Sequence, residues 1–201
     1  MGIPVLIIGE SGSGKSSSLR NFEPDEIAVF NVAGKPLPFR KKLESYKTSK
    51  YDKIKNGIEK LGKKSYVIDD SQYLMAFSMF DRAKEVGYGK FTDIAVDFKN
   101  LVDYVVNKTA DDVIVYFLHH TERNEDGRVK AKTSGKMLDQ QLTLEGLFSI
   151  VLMTQANEGS YKFITQSDGY TTCKSPMEMF ELEIDNDLKV VDTAIREYWE
   201  L

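Results

Sequence analysis

The octapeptide Gly9-Glu10-Ser11-Gly12-Ser13-Gly14-Lys15-Ser16 constrains this chain more than any other feature. It has glycine, lysine and serine at every fixed position of the pattern G-x-x-x-x-G-K-[ST]. It follows the apolar run 5–8, VLII, and precedes a segment, 16–21, that reads as the start of a helix stopped near Pro24. Each part has a chemical reason. Gly9, Gly12 and Gly14 let the backbone take tight or left-handed conformations. Successive N–H groups of Glu10 to Ser17 can then converge on one anion. A helix opening near Lys15 adds its positive end. Lys15 is expected to reach the β- and γ-phosphates of a nucleotide and Ser16 to ligate Mg²⁺. The alternative is an ordinary glycine turn, which the strand-and-helix context disfavours.

A loop of this kind needs a second acid at a neighbouring strand end to hold the metal. Tyr66-Val67-Ile68-Asp69-Asp70 supplies one: three residues suited to a buried strand run into two carboxylates. Asp69 is the expected Mg²⁺-linked residue. Asp70 is read either as the group that orients or deprotonates an attacking water or as the cap of a helix from Ser71. His119 and His120 end another apolar strand, and adjacent side chains on a strand point to opposite sides. One of them is therefore expected to face the site. We take His119 as that residue, sensing the terminal phosphate, against the alternative of a hydrogen-bonded structural histidine.

The formal net charge of −4 at first argues against a nucleic-acid partner. It is an average. Residues 35–64 carry 11 Lys and Arg against three Asp and Glu, whereas residues 176–201 carry two against eight. The basic block, with Phe39, Tyr46 and Tyr51, is either a phosphate footprint or a solvated lysine-rich face. The segment 121–136 places Arg123, Arg128, Lys130, Lys132 and Lys136 on a long loop or mobile hairpin. These five are the candidate DNA-binding residues; a solvated surface loop is the alternative. Lys174, like Arg123 and Arg128, is a candidate finger completing a neighbouring subunit's site. A single cysteine, Cys173, excludes an internal disulfide and fits a reducing compartment, so a cytoplasmic location is expected. No apolar run approaches a membrane span.

The pattern of short apolar runs and amphipathic segments predicts an α/β fold with a largely parallel sheet. Strands are expected at 5–8, 27–32, 66–68 and 113–118. Segment 43–61 reads as largely helical, 74–86 as a helix, and Thr92 as the cap of another with Ile94, Ala95, Phe98, Leu101, Val102 and Val105 on one face. Asn157-Glu158-Gly159 marks an antiparallel hairpin, and 187–199 is a last helix. At 201 residues the chain suits one domain, leaving loops of that domain to make any nucleic-acid contact.

Several segments together, GESGSGKSSSLRNF, NVAGKPLPF, YVIDDSQYL, VIVYFLHHTE, KTSGKMLDQQLTLEGLF and ITQSDGYTTCKSP, resemble small bacteriophage nucleotide-binding proteins labelled AAA-family ATPases. The resemblance spans about residues 3–198 and implies a P-loop NTPase with a RecA-like core. It further implies ATP, Mg²⁺, single-stranded DNA, a single-strand-binding partner protein, a ring or filament of copies, and a place in phage recombination or replication within the bacterial host. There is one departure. RecA-type enzymes carry a glutamate at the end of the strand after the loop, where this chain has Asn31 and no acid. Asp70 must then substitute, or turnover is slow. A nucleotide-switched module that recruits a partner with little hydrolysis, and a small-molecule kinase, are the competing readings.

Overall fold

The computed structural model describes residues 1–135 and 137–201. Its strands are β1 (Ile3–Gly9), β2 (Ile27–Asn31), β3 (Glu44–Lys47), β4 (Ser65–Asp69), β5 (Ile114–Arg123), β6 (Val129–Ala131), β7 (Ile150–Asn157), β8 (Ser160–Ile164) and β9 (Glu183–Asp185). Its α-helices are α1 (Tyr51–Leu61), α2 (Gln72–Asp81), α3 (Gly89–Lys108) and α4 (Leu188–Trp199). The strands form a mixed sheet in the order β3-β2-β4-β5-β1-β7-β8-β9, with β6 paired to the outer end of β5. From β3 to β7 every neighbouring pair is parallel, while β8 and β9 run antiparallel. The architecture is therefore α/β, a mostly parallel sheet with helices on both faces and an antiparallel hairpin at one side.

The central strands are apolar throughout because both faces are covered. Leu6, Ile8, Phe30, Ile68 and Phe117 pack under α1, α2 and α3. Val5, Ile7, Val29, Val67 and Leu118 pack under α4 and the 3₁₀ turn Ser16–Asn21. The six apolar residues expected on one face of α3 are its buried residues. Burying a side chain the size of Phe98 is worth about 2–3 kcal/mol.

Three expectations are corrected. Segment 43–61 is not largely helical: it opens with edge strand β3, and only Tyr51–Leu61 is helix. The sequence of β3, ESYK, is polar; pairing with the free edge of β2 supplies the strand that propensity does not. Helix α3 starts at Gly89, capped by Tyr88, so Thr92 lies inside its first turn. Strand β5 continues to Arg123 because β6 gives its last residues a partner: Thr121 pairs with Ala131 and Arg123 with Val129. Of the two readings of 121–136, long loop or mobile hairpin, the structure has a β-hairpin extending the sheet. No helix among the described residues is long and apolar enough to cross a membrane.

Candidate functional site

Strand β1 lies between β5 and β7, with Ile8 opposite both His119 and Met153. The glycine loop leaves β1 at Gly9, on the carboxyl edge of the parallel sheet where open α/β folds place ligands. Two glycines are required by geometry. A Cβ on Gly9 would meet Thr154 Oγ1 at 1.9 Å, and Gly14 has φ +103° with Tyr161 2.9 Å from where its Cβ would stand. Ser13 Oγ is 2.5 Å from Thr154 Oγ1 and donates to the Glu10 carbonyl at 2.7 Å, so β7 holds the loop from behind.

Lys15 is 6% exposed. Its ammonium donates to the Gly9 and Glu10 carbonyls, each at 2.8 Å. Burial lowers its pKa to about 8, against the opposing pull of Asp70 and Asp69. The ammonium's direct acceptors in the loop are thus two neutral carbonyls, while Asp70, Asp69 and Glu10 act on it through space. The helix after the loop is shorter than expected. It is the six-residue 3₁₀ turn Ser16–Asn21, so a long helix dipole is not part of this site.

Ser16 Oγ donates to Asp69 Oδ1 at 2.8 Å. Asp69, the last residue of β4, is buried; burial raises its pKa, and the Ser16 hydrogen bond offsets part of that rise. Asp70 turns the chain sharply at φ +59°, in the left-handed region. The cap of α2 is Ser71, and the Asp70 carboxylate does not cap the helix. It accepts instead from His120 Nε2 at 3.1 Å and from Lys35 Nζ at 3.2 Å. Burial pushes Asp70 upward, but the hydrogen bonds from His120 and Lys35, with their charge, outweigh it and hold the carboxyl below its ordinary range. A cleft of about 220 Å³ is lined by Lys15, Ser16, Ser17, Lys35, Asp69, Asp70 and His120, with Ser11, Gly12 and Gly14 on its loop side.

The structure brings His120, not His119, into this cleft. His119 is fully buried, its ring edge-on to Phe98. Its Nε2 donates to the Lys132 carbonyl at 2.8 Å and its Nδ1 lies 2.8 Å from the Ser71 hydroxyl, so both nitrogens are used. Burial lowers its pKa to about 4. His119 therefore has the structural alternative's geometry. Sequence reasoning also passed over Lys35, hidden in a lysine-rich stretch, and Thr154, whose strand carries no motif.

A second cleft, of about 330 Å³, opens on the other side of the loop. Glu10, Ser11, Thr121, Arg123, Thr154 and Gln155 line it. Arg123 lies 3.8 Å from Glu10 of the loop. Arg128 Nε donates to the Gly169 carbonyl, and Lys130 is 3.4 Å from Glu122. The Lys132 side chain is exposed. The hairpin is tied to its surroundings by buried Glu145, which accepts from Ala131 N at 2.7 Å and Thr172 Oγ1 at 3.1 Å. Lys136 lies outside the described residues. Lys174 lies away from both clefts: it forms a backbone bridge to Val151, which is level with Leu6 of β1.

Several lysines of the basic block are neutralised locally. Lys41 pairs with Glu23, Lys50 with Asp81, Lys63 with Glu44 and Lys64 with Asp112. With Lys35–Asp70, five lysines of the block thus have a carboxylate partner, and one of those partners, Glu44, lies inside the block itself. No protein-family model matches this chain, and no curated protein is significantly similar to it.

Proposed function

We propose that this chain is a P-loop NTPase with a RecA-like core that binds ATP with Mg²⁺ and hydrolyses it, acting with single-stranded DNA as the phage proteins it resembles imply. The observation that carries the nucleotide reading is the Ser16–Asp69 hydrogen bond at 2.8 Å, inside the cleft that the Lys15 loop closes. A hydroxyl and a carboxylate are hard oxygen donors, the set Mg²⁺ prefers. Lys15 offers a buried positive charge beside them. The donor chemistry thus fits a magnesium-bound triphosphate, with Ser16 and Asp69 as the residues that would hold the metal. Bound there, Mg²⁺ would neutralise phosphate charge. Backbone N–H groups of Glu10 to Ser17 bind phosphate oxygens, Lys15 reaches the β- and γ-groups, and Asp70 accepts the proton of the attacking water.

His120 would keep Asp70 oriented, because its Nε2–H donates to one carboxylate oxygen whichever way the other is engaged. In the DNA reading, the β5–β6 hairpin is the contact surface, since it projects from the strand that carries His120 and places Arg123 against the loop. One observation favours a nucleotide-switched module with little hydrolysis: both Asp70 oxygens are already engaged. Phosphate release from ATP, measured with and without single-stranded DNA and alongside the particle mass under ATP, separates the two. Stimulation by DNA supports the ATPase. Tight ATP binding with turnover near zero supports the switch. No change in rate or mass with DNA removes the DNA part.

A further inference from the structure

Lys35 stands where the nucleotide reading gives it a task that the loop motif does not. It follows β2 through a turn fixed at both ends by Asn31. Asn31 Oδ1 accepts from Gly34 N at 2.6 Å, and Asn31 Nδ2 donates to the Lys35 carbonyl at 2.5 Å. Gly34 sits at φ +68°, the left-handed region that favours glycine. The turn closed by these two Asn31 hydrogen bonds delivers Lys35 to the cleft shared with Lys15, Ser16, Asp70 and His120. Lys35 Nζ lies 3.2 Å from Asp70 Oδ2 and 5.2 Å from the centroid of the Tyr73 ring. The two partners are unequal: the Lys35 side chain is 63% exposed and that of Asp70 is 12% exposed. Asp70 is fixed and Lys35 is the half of the pair that can move.

We propose that Lys35 is a phosphate-reading latch: it holds Asp70 in the absence of a terminal phosphate and transfers to that phosphate when a nucleoside triphosphate fills the cleft. The inference rests on the nucleotide reading above. A γ-phosphate carries more negative charge than one carboxylate and offers three oxygens, so it competes for the ammonium. A diphosphate has no group at that position and leaves the pair closed. Once Lys35 has moved, Asp70 Oδ2 is free. The water oxygen attacks the γ-phosphorus, its proton goes to Asp70 Oδ2, and the bond from that phosphorus to the bridging oxygen breaks with its electron pair leaving on the diphosphate. The latch thus couples discrimination between tri- and diphosphate to release of the base.

The test is the affinity of the full chain for ADP and for the β,γ-imido analogue of ATP, both with Mg²⁺, in the wild type, Lys35→Gln and Lys35→Arg. The latch predicts that Lys35→Gln weakens the analogue about tenfold or more and changes ADP by less than about twofold. Lys35→Arg, which keeps the charge, retains most of the preference. Unchanged ADP affinity also certifies that the variant is folded. Equal loss of both ligands, or no loss of either, overturns the latch and leaves the nucleotide site standing. Failure of the wild type to bind either ligand overturns the nucleotide reading and the latch with it.

Discussion

Ser16 Oγ and Asp69 Oδ1, 53 positions apart in the chain, meet at 2.8 Å. The contact joins the loop after β1 to the end of β4, although β5 separates the two strands in the sheet. Parallel strands make this possible: their carboxyl ends share an edge, so side chains distant in sequence converge there. If the pair holds Mg²⁺, Asp69→Asn should weaken Mg²⁺-dependent ATP binding by about tenfold or more. Binding without the metal should change far less. Calorimetry with and without Mg²⁺ reads the difference.

Asn31, the last residue of β2, builds the turn that presents Lys35. Asn31→Ala removes both side-chain hydrogen bonds from a buried position. The expected cost is about 1–3 kcal/mol in chemical denaturation. ATPase turnover should fall with it, while ADP affinity holds. Asn31→Asp keeps the acceptor but loses the donor to the Lys35 carbonyl, and should fall between the two.

His119 gives the chain an acid-sensitive core. Burial holds its pKa at about 4, below the ordinary imidazole value of 6.5. Between these values the unfolded chain binds the proton and the folded chain does not, so stability falls as the pH drops through that window. The span corresponds to a loss on the order of 3 kcal/mol at its acid end. His119→Gln should flatten this part of the stability profile, though it lowers stability at neutral pH. Urea unfolding at a series of pH values measures both effects.

The alternation of apolar runs and amphipathic segments was enough to read an α/β sheet, because central parallel strands are apolar on both faces. The buried face of α3 was legible residue by residue for a related reason: helical periodicity shows directly which side chains turn inward. Edge strand β3 was not legible, since ESYK has no strand pattern and gains its conformation from β2. The same limit applies within the cleft. Local motifs exposed the loop, Asp69 and Asp70, but the choice between His119 and His120 depends on which face of β5 looks toward α3, a fact of packing. Lys35 was hidden because nothing local separates it from the other lysines of its stretch.

Charge reversal on the hairpin and on α1 tests the proposed DNA contact. The hairpin reading expects Lys130→Glu with Lys132→Glu to weaken single-stranded DNA binding by about tenfold or more at low salt, and to lower its salt dependence. Lys53→Glu with Lys55→Glu, both on α1, should have less than half that effect on a logarithmic scale. Fluorescence anisotropy with a labelled oligonucleotide distinguishes them. Equal losses would mean that neither segment is the sole site.

The most direct measurement is binding and hydrolysis of Mg²⁺–ATP by the purified chain beside its Lys15→Ala variant. Lys15 is the buried cation that the loop encloses, and its removal takes away the charge on which phosphate capture depends. The nucleotide-site account predicts saturable ATP binding with phosphate release by the wild type, and loss of both by about a hundredfold or more in the variant. A wild type that binds no ATP, or a variant that binds and turns it over equally well, would contradict it.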